Sequence, residues 1–442
     1  DSRTDKDLTW YFDGVFNTTK YIDYSIRKKG KNYLVSNQGT MNSPVEVAFF
    51  GKEKKEIKRV WLTHVEGSQE IKGPESAYYA VIDPDEFMPD VKRENNSTKS
   101  FLRFHWVWDQ PTYYDHDLNF LPWVKYNYYN GLAPGLMLYK GGPGYNGFAA
   151  AEPMWDLKNG KPIGKIYKVH NYEKNDLFHK SSLSFGGMHL HGTRSGNIIF
   201  RGSKNKDKAK MNFSLKLHYN ILNETAFDTS FYQSGTFATE ELTFGYNKTF
   251  DSILNKIGFQ TGLTIGDQFS SGWIESNSKI SINKKTNLSI RSWVGNHFNT
   301  KNVPKHYRTY LSGGIDPNFS RYIFDRTGRS NFQVLQSQYI VEGPALRGLY
   351  KDDIGTTSGV WGLKLDAKIS FLPNLFYDIA GGEDYETLKA AGIQLGPIII
   401  PLYQSWEKED SKTATNSRWI ADRVRLQFGL TFSAGPFGVF SF

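Results

Sequence analysis

One arginine and two aspartates in the last quarter of the chain have the types and spacing needed to form ion pairs. Arg347 lies in the turn-rich stretch GPALRGLYKDD, residues 343–353, and Asp366 and Asp378 follow in two alternating runs. A planar guanidinium can pair with a carboxylate through two parallel hydrogen bonds. We therefore expect Arg347 to bind Asp378, with Asp366 as a second partner. The alternative is a solvent-exposed arginine in an outer loop.

The elements that place both aspartates on one side are two runs in which apolar and polar residues alternate. In the first run, every second residue from 365 to 371 is apolar, which leaves Asp366 on the opposite, polar face. In the second run, Leu375 and Tyr377 share one face and Asp378 lies on the other. Because successive side chains of a strand point to opposite faces, both aspartates point to the polar side of neighbouring strands. We expect the arginine loop to fold to that side.

Longer alternating runs precede the loop and indicate the fold class. Every odd residue from Met211 to Tyr219 is apolar and every even one is polar, and the same period returns at residues 424–433. Runs of about 9–12 residues match a tilted strand that crosses a bilayer. The 41 glycines and 15% aromatic residues also fit a barrel, in which only every second residue faces lipid. The prediction is a transmembrane antiparallel β-barrel, and a soluble all-β domain is the alternative.

Changes in sequence texture predict the domain organisation. Residues 1–18 have apolar side chains at helical spacing and are expected to form a terminal helix. Short strand-like runs fill residues 19–97, which predicts a small β-sandwich, and the polar stretch 83–100 is interpreted as a linker. Residues 98–442 are assigned to the barrel, and about 20 residues per strand and turn give about 16 strands. The fold class is all-β: a sandwich followed by a barrel.

Composition excludes several classes of function. The chain has no cysteine, which excludes disulfides and thiol chemistry. None of the ten histidines begins an HExxH motif, so we expect no catalytic residue, metal ligand set or cofactor in this chain. The net charge of +9 comes without a nucleic-acid-binding motif, so no nucleic-acid partner is expected. No stretch reaches the roughly 18 apolar residues of a transmembrane helix.

Two patterns near the carboxyl terminus resemble those of the barrel-assembly insertase superfamily, which includes outer-membrane protein insertases, translocation assembly factors and two-partner secretion transporters. They are Leu346-Arg347-Gly348-Leu349 and Phe376-Tyr377-Asp378, with five strand-like runs after the first pattern. Leu349 stands where an aromatic residue is usual, and Ala380 stands where glycine is usual. The resemblance implies a barrel of about 16 strands whose Arg-Gly loop enters the lumen and meets the Phe-x-Asp strand.

The amino-terminal region resembles the part that follows the catalytic domain in aminopeptidase-N-type gluzincin metallopeptidases. The similar segments are residues 7–26, 36–49 and 81–96, in the same order. In that family a helix leads into a small β-sandwich, and some bacterial members continue into an outer-membrane barrel. The resemblance implies that any zinc-binding catalytic domain lies upstream of this chain, so whether the chain is part of an enzyme stays open.

Together these patterns predict a protein of the bacterial outer membrane. The aromatic residues Phe440 and Phe442 form a carboxyl-terminal strand signal. The expected role is an insertase-like barrel that acts as a membrane anchor or as a subunit of an export or assembly complex. Its expected partners are membrane lipid and other outer-membrane or periplasmic proteins. The alternatives are the membrane part of an active zinc aminopeptidase, and a passive pore whose lumen is not blocked by residues 320–355.

Overall fold

The fold is known from a computed structural model that describes most of the chain. The described residues up to 121, together with 138–140, form one compact unit, and the other described residues form a second unit. The predicted helix at 1–18 lies almost entirely outside the described residues. The residues that the structure describes are 12, 14, 17–99, 102–106, 116–127, 131–140, 147–172, 174–190, 192–223, 232–283, 285–300, 302–312, 336–339, 343–349, 355–370, 372–396, 398–405, 425–428, 431–433 and 439–441.

Six short strands form the amino-terminal β-sandwich. One sheet has the order β1-β2-β5 and the other has the order β4-β3-β6. Their alternate side chains meet in a core in which Tyr24, Tyr33, Val47 and Phe49 are at most 2% exposed. The strands are β1 (Tyr24–Lys29), β2 (Asn32–Asn37), β3 (Val45–Phe50), β4 (Glu56–Leu62), β5 (Ser68–Lys72) and β6 (Tyr79–Ile82).

Residues 83–99 pack on the sandwich, so the prediction of a linker is wrong. Asp90 is 9% exposed and accepts hydrogen bonds from the main-chain N–H groups of Tyr24 at 2.9 Å and Lys92 at 2.8 Å. Asn96, which follows the 3₁₀ turn Arg93–Asn95, is fully buried. Polar residues and prolines suggested solvent exposure, but here the polar side chains satisfy buried main-chain donors.

Twenty further strands follow the sandwich. A 3₁₀ turn, Lys305–Tyr307, lies between two of them. The strands are β7 (Leu102–Trp106), β8 (His116–Asn127), β9 (Gly131–Lys140), β10 (Gly147–Asp156), β11 (Lys161–Tyr172), β12 (Lys180–Leu190), β13 (Thr193–Lys206), β14 (Ala209–Leu222), β15 (Gly235–Thr249), β16 (Leu254–Gly266), β17 (Ser270–Asn283), β18 (Thr286–Asn299), β19 (Gln336–Tyr339), β20 (Val360–Ile369), β21 (Asn374–Gly382), β22 (Tyr385–Leu395), β23 (Ile398–Gln404), β24 (Arg425–Phe428), β25 (Thr431–Ser433) and β26 (Val439–Ser441).

The sheet from β7 to β24 closes into a barrel. Besides two short strands (β7, between β24 and β8, and β19, which the direct pairing of β18 with β20 bypasses), the barrel contains 16 wall strands, β8–β18 and β20–β24. Two short strands are parallel to their neighbours: β7 runs beside β8, and β19 runs beside β24. The predicted all-β fold class, a small sandwich followed by a barrel of about 16 strands, is confirmed.

The outer face of the barrel wall is apolar. Leu215, Leu242 and Leu263 are each about 40% exposed although they lie in mid-strand. Such exposure of regularly spaced leucines is unusual for a face in contact with water. Four apolar side chains lie side by side in register across β13, β14, β15 and β16: Phe200, Leu215, Leu242 and Leu263.

The carboxyl-terminal strands differ from the sequence-based prediction in two places. One of the five strand-like runs after the Arg-Gly pattern, residues 388–402, is divided by a turn at Gly396, with φ +57°, which separates β22 from β23. In the described residues β26 pairs with β25 in a separate two-stranded sheet. The backbone of Phe440 lies in β26, whereas Phe442 lies outside the described residues. No helix in the described part of the chain is long and apolar enough to cross a membrane.

Candidate functional site: a loop bound to the inner barrel wall

The register of three wall strands brings the charged residues of the site together. Lys364 of β20 is the register partner of Asp378 on β21 and of Arg291 on β18. Asp366 lies two residues after Lys364 and therefore on the same face. Tyr377 is 38% exposed on the outer face, whereas Asp378 is 1% exposed. These charged side chains therefore point to the barrel interior.

Arg347 binds Asp378 through both its side chain and its main chain. Nε donates to Oδ2 at 2.8 Å and Nη2 donates to Oδ1 at 2.5 Å, which is the bidentate geometry of a strong pair. The main-chain N–H of Arg347 donates to Oδ2 at 3.0 Å. Nη1 donates to Asp366 and, at 3.1 Å, to Gln394 Oε1. Arg347 is 3% exposed, so these protein groups replace its water shell.

An aromatic ring covers one face of the guanidinium. The Cζ atom of Arg347 lies 4.2 Å from the ring centroid of Phe376, which is itself 4% exposed. A cation over a ring face at this distance is attracted by the ring quadrupole, and burial strengthens the attraction. The Phe-x-Asp pattern therefore contributes two contacts to one arginine: the ring of Phe376 and the carboxylate of Asp378.

Two further cations hold the main chain of the loop. Arg291 donates from Nη2 to Gly343 O at 2.9 Å and from Nη1 to Pro344 O at 3.3 Å. Lys364 donates from Nζ to Ala345 O at 2.6 Å. Three consecutive carbonyl oxygens of the loop thus accept hydrogen bonds from side chains of the wall. These bonds are charge-assisted, so they are stronger than bonds between neutral groups.

The charges at the site are balanced. Arg291 also donates to Glu275 Oε2 at 2.8 Å, and Lys364 Nζ lies 3.7 Å from Asp378 Oδ2. Burial of charge is costly unless each ion is paired and hydrogen-bonded. Among the described residues, the network contains three cations and three carboxylates: Arg291, Arg347 and Lys364 against Glu275, Asp366 and Asp378.

Apolar contacts and two glycines let the loop approach the wall closely. Leu346 and Leu349 are at most 5% exposed and belong to a core cluster with wall residues, and Leu346 N–H donates to Leu311 O at 2.7 Å. Gly348 has φ +90°, and a Cβ atom there would lie 2.3 Å from Gln404 Nε2. A Cβ atom on Gly362 of β20 would lie 2.7 Å from Pro344 Cβ. Only glycine fits at these two positions without a shift of the loop or the wall.

The structure brings together four of the residues that the sequence singled out: Arg347, Gly348, Asp366 and Asp378. It does not bring Phe440 near them in any described contact. Sequence reasoning missed the roles of Lys364, Arg291, Glu275 and Gln394. A usable signal existed for Lys364, since it shares a face with Asp366 two residues away. For the other three, no local pattern indicates which loop atoms they reach.

The arrangement can hold a loop. Each charged group of the network is committed to an ion pair or to a main-chain oxygen. Among the described residues, no group of three or more histidine, aspartate or glutamate side chains could hold a metal ion. The chemistry supported at this site is therefore the tethering of residues 343–349 to strands β18–β22.

Comparisons with known proteins give limited information on this chain. No family model matches it, and no curated protein matches it. Among solved structures it is similar to the crystal structure of BamA from Haemophilus ducreyi lacking POTRA domains 1–3, with 12% sequence identity and a TM-score of 0.36. The similarity covers 64% of this chain and 65% of that chain. The chain thus spans about two thirds of that structure, and identity this low says nothing about activity.

Proposed function

We propose that this chain is a β-barrel protein of the bacterial outer membrane, built like the barrels of the insertase superfamily. Its proposed role is that of a membrane anchor or of a subunit of an outer-membrane export or assembly complex, with membrane lipid and neighbouring envelope proteins as partners. The observation that carries the proposal is the binding of Arg347 to Asp378 and Asp366 inside the barrel.

The apolar outer face supports a position in a membrane. Strands such as β14 and β15 have 14 and 15 residues, which exceeds the roughly 9–11 residues that a tilted strand needs to span a bilayer. Closure of the sheet also pairs main-chain groups between neighbouring strands, which is required in hydrocarbon. A water-soluble barrel would have no reason to present leucines in register to solvent.

The tethered loop supports an insertase-like barrel over a passive pore. Residues 343–349 lie against the inner wall, so they occupy lumen space that an open pore would leave free. In the proposed mechanism, the pairing of the first and last wall strands is weak enough to open sideways. The network around Arg347 meanwhile holds β18–β22 and the loop together. Movement is therefore confined to the seam, which is the place where the first and last strands of the barrel meet.

A disulfide that locks the loop tests this proposal, because the chain has no cysteine of its own. The pair Pro344→Cys and Gly362→Cys joins the loop to β20, since a Cβ atom at 362 would lie 2.7 Å from Cβ of 344. A disulfide needs about 3.8 Å between Cβ atoms, so a small shift of the loop suffices. The matched control is Ser276→Cys with Ser292→Cys, which joins β17 to β18 where the two hydroxyls are 2.7 Å apart.

The assay is reconstitution of the full chain in liposomes, followed by assembly of a second, urea-denatured barrel protein. We expect the chain to resist carbonate extraction and to accelerate assembly of the second protein. Both oxidised cysteine pairs should stay active, because the loop remains bound to the wall while the seam opens. Extraction of the chain by carbonate would refute the membrane assignment. If the chain inserts stably but does not accelerate assembly, the assembly role is refuted and the role of membrane anchor remains. If oxidation abolishes assembly activity in the loop pair but not in the control pair, the proposal that the loop stays bound to the wall is refuted.

A further inference from the structure

A second group of inward-facing polar residues lies on β11–β16, on wall strands other than those that hold the loop. Two rows of register partners cross this part of the wall on the face opposite to the row of leucines. The first row contains Lys180, Ser203, Asn212, Gly245 and Gln260. The second row contains Ser182, Arg201, Ser214 and Thr243. Together with Asn171 and Asn247 they line one cavity of about 430 Å³.

The lining of this cavity carries a net positive charge. It includes the two cations Lys180 and Arg201, and none of its lining residues is acidic. Neither cation forms an ion pair or a side-chain hydrogen bond within the part of the chain that the structure describes. Some other cations of the inner wall are matched, for example Lys216 with Glu241 at 3.2 Å. The cavity therefore has an excess of positive charge.

Several uncharged side chains of the cavity are hydrogen-bonding groups that are equally uncommitted. The side-chain amides of Asn212, Asn247 and Gln260 are planar groups, and each offers two N–H donors and one oxygen acceptor. Hydroxyl groups of Ser182, Ser214 and Thr243 lie in the second row, beside Arg201. Amides can bind neighbouring hydroxyl groups of a ligand, whereas an apolar ligand would leave them without partners.

We propose that this cavity binds an anionic saccharide. Its sulfate, phosphate or carboxylate group pairs with Lys180 and Arg201, and its hydroxyl groups pair with the amides of Asn212, Asn247 and Gln260. Arginine supplies a planar fork that fits such oxyanions, and lysine adds a point charge beside it. The site does not depend on the role of the barrel in assembly, since it lies on different strands from the Arg347 network.

Calorimetric titration of the full chain in detergent tests the inference, with a sulfated disaccharide as the probe. The double variant Lys180→Gln with Arg201→Gln removes both cations from the cavity. The matched control, Lys168→Gln with Lys206→Gln, removes the same charge from the outer face, where Lys168 is the register partner of Phe185. We expect the cavity variant to bind the probe at least about tenfold more weakly, because charge-assisted hydrogen bonds are lost. The control should stay within about twofold.

Two further titrations separate a saccharide site from general attraction of anions. Inorganic sulfate should bind at least about tenfold more weakly than the disaccharide, and an unsulfated disaccharide should also bind more weakly, since each lacks one set of partners. Asn212→Ala with Asn247→Ala should weaken binding of the disaccharide while leaving binding of sulfate unchanged. Equal losses in the cavity and control variants would overturn the inference. Equal affinity for sulfate and disaccharide, or no binding of the disaccharide, would also overturn it.

Discussion

Replacement of Arg347 by methionine should release the loop from the wall without unfolding the barrel. The change removes the four side-chain hydrogen bonds to Asp378, Asp366 and Gln394. It leaves two cations against three carboxylates, with Asp378 still 1% exposed. The wall itself keeps its main-chain pairing, since Arg347 belongs to no strand.

The magnitude follows from the burial of both partners. Removal of one member of a buried ion pair typically costs about 3–5 kcal/mol, because the remaining charge is left uncompensated. At about 1.4 kcal/mol per factor of ten, the open state of the loop should become more populated by at least about 100-fold. Lysine at 347 should recover only part of this loss, because it cannot reproduce the bidentate contact. The double variant Arg347→Met with Asp378→Asn restores equal charge, so its loss should be smaller than the sum of the two single losses.

Thiol labelling measures the opening of the loop in a chain that has no native cysteine. Leu349→Cys introduces a reporter at a loop position that is 5% exposed, so labelling requires release of the loop. Ala133→Cys on β9, at a position that is 1% exposed, reports on the barrel as a whole. When the loop closes faster than the reagent reacts, the labelling rate follows the population of the open state.

The expected result is a labelling rate at position 349 that rises by at least about 100-fold in the Arg347→Met background, with no change at position 133. An increase of less than about threefold at 349 would refute the assignment of Arg347 as the residue that holds the loop. Equal increases at both positions would show that the substitution destabilises the barrel, which contradicts the local role argued here.

Three more predictions concern single residues. Gly348→Ala should increase labelling at position 349, at a cost of about 1–3 kcal/mol, because φ is +90° and the new Cβ atom would meet Gln404. Tyr24→Phe should lower the unfolding free energy of the sandwich by about 1–3 kcal/mol, because the hydroxyl donates to Ser43 O at 2.7 Å and accepts from Ser43 N–H at 3.0 Å. Burial raises the pKa of Asp90 above its ordinary value of 3.8, so the folded sandwich binds a proton more readily than the unfolded chain. The urea midpoint of the native sandwich, taken relative to that of the Asp90→Asn variant, should therefore fall as pH rises from about 3.8 through the folded pKa of Asp90.

Each of these three has a matched control. Gly396→Ala imposes similar strain, at φ +57°, but has no atom within 4 Å of the new Cβ, so it should not change labelling at 349. Tyr33→Phe removes a hydroxyl for which no hydrogen bond is found among the described residues, so it should cost less than Tyr24→Phe. Both sandwich variants are compared by pulse proteolysis in urea of fragments from 19–97. Asp90→Asn removes only the contribution of Asp90, because burial also raises the pKa of Asp83. A pH dependence of the midpoint that is unchanged in this variant would contradict the assignment.

The period-two pattern was sufficient to predict the barrel, because it depends only on which face each residue occupies. The alternation at 211–219 places Leu215 on the outer face, as the structure shows. The same alternation predicted that Asp366 and Asp378 share one side of the sheet. Contact with Arg347 then required only a loop long enough to reach them. Sequence reasoning succeeds here because inside and outside alternate along every strand.

The contacts of Arg291 could not be predicted in this way. Its partners are two main-chain oxygens more than 50 residues later in the chain, and any residue type supplies such an oxygen. The register of β18 against β20 decides the contact, and no residue in either strand identifies that register by type. The parallel strands β7 and β19 escaped prediction for a related reason, because four or five residues are too few for a periodic pattern.

The hydrogen bonds from wall cations to the carbonyl oxygens of Gly343, Pro344 and Ala345 have a consequence for how this chain can evolve. Arg291 and Lys364 bind only main-chain oxygens there, so these bonds permit drift in the identities of the three loop residues, although Ala345 is 0% exposed and leaves room only for a small side chain. Gly343 and Ala345 have φ of +65° and +53°, which limits that drift mainly to glycine, asparagine and similar residues. We expect related chains to be recognised more readily by the paired cations of the wall than by the residue types of the loop.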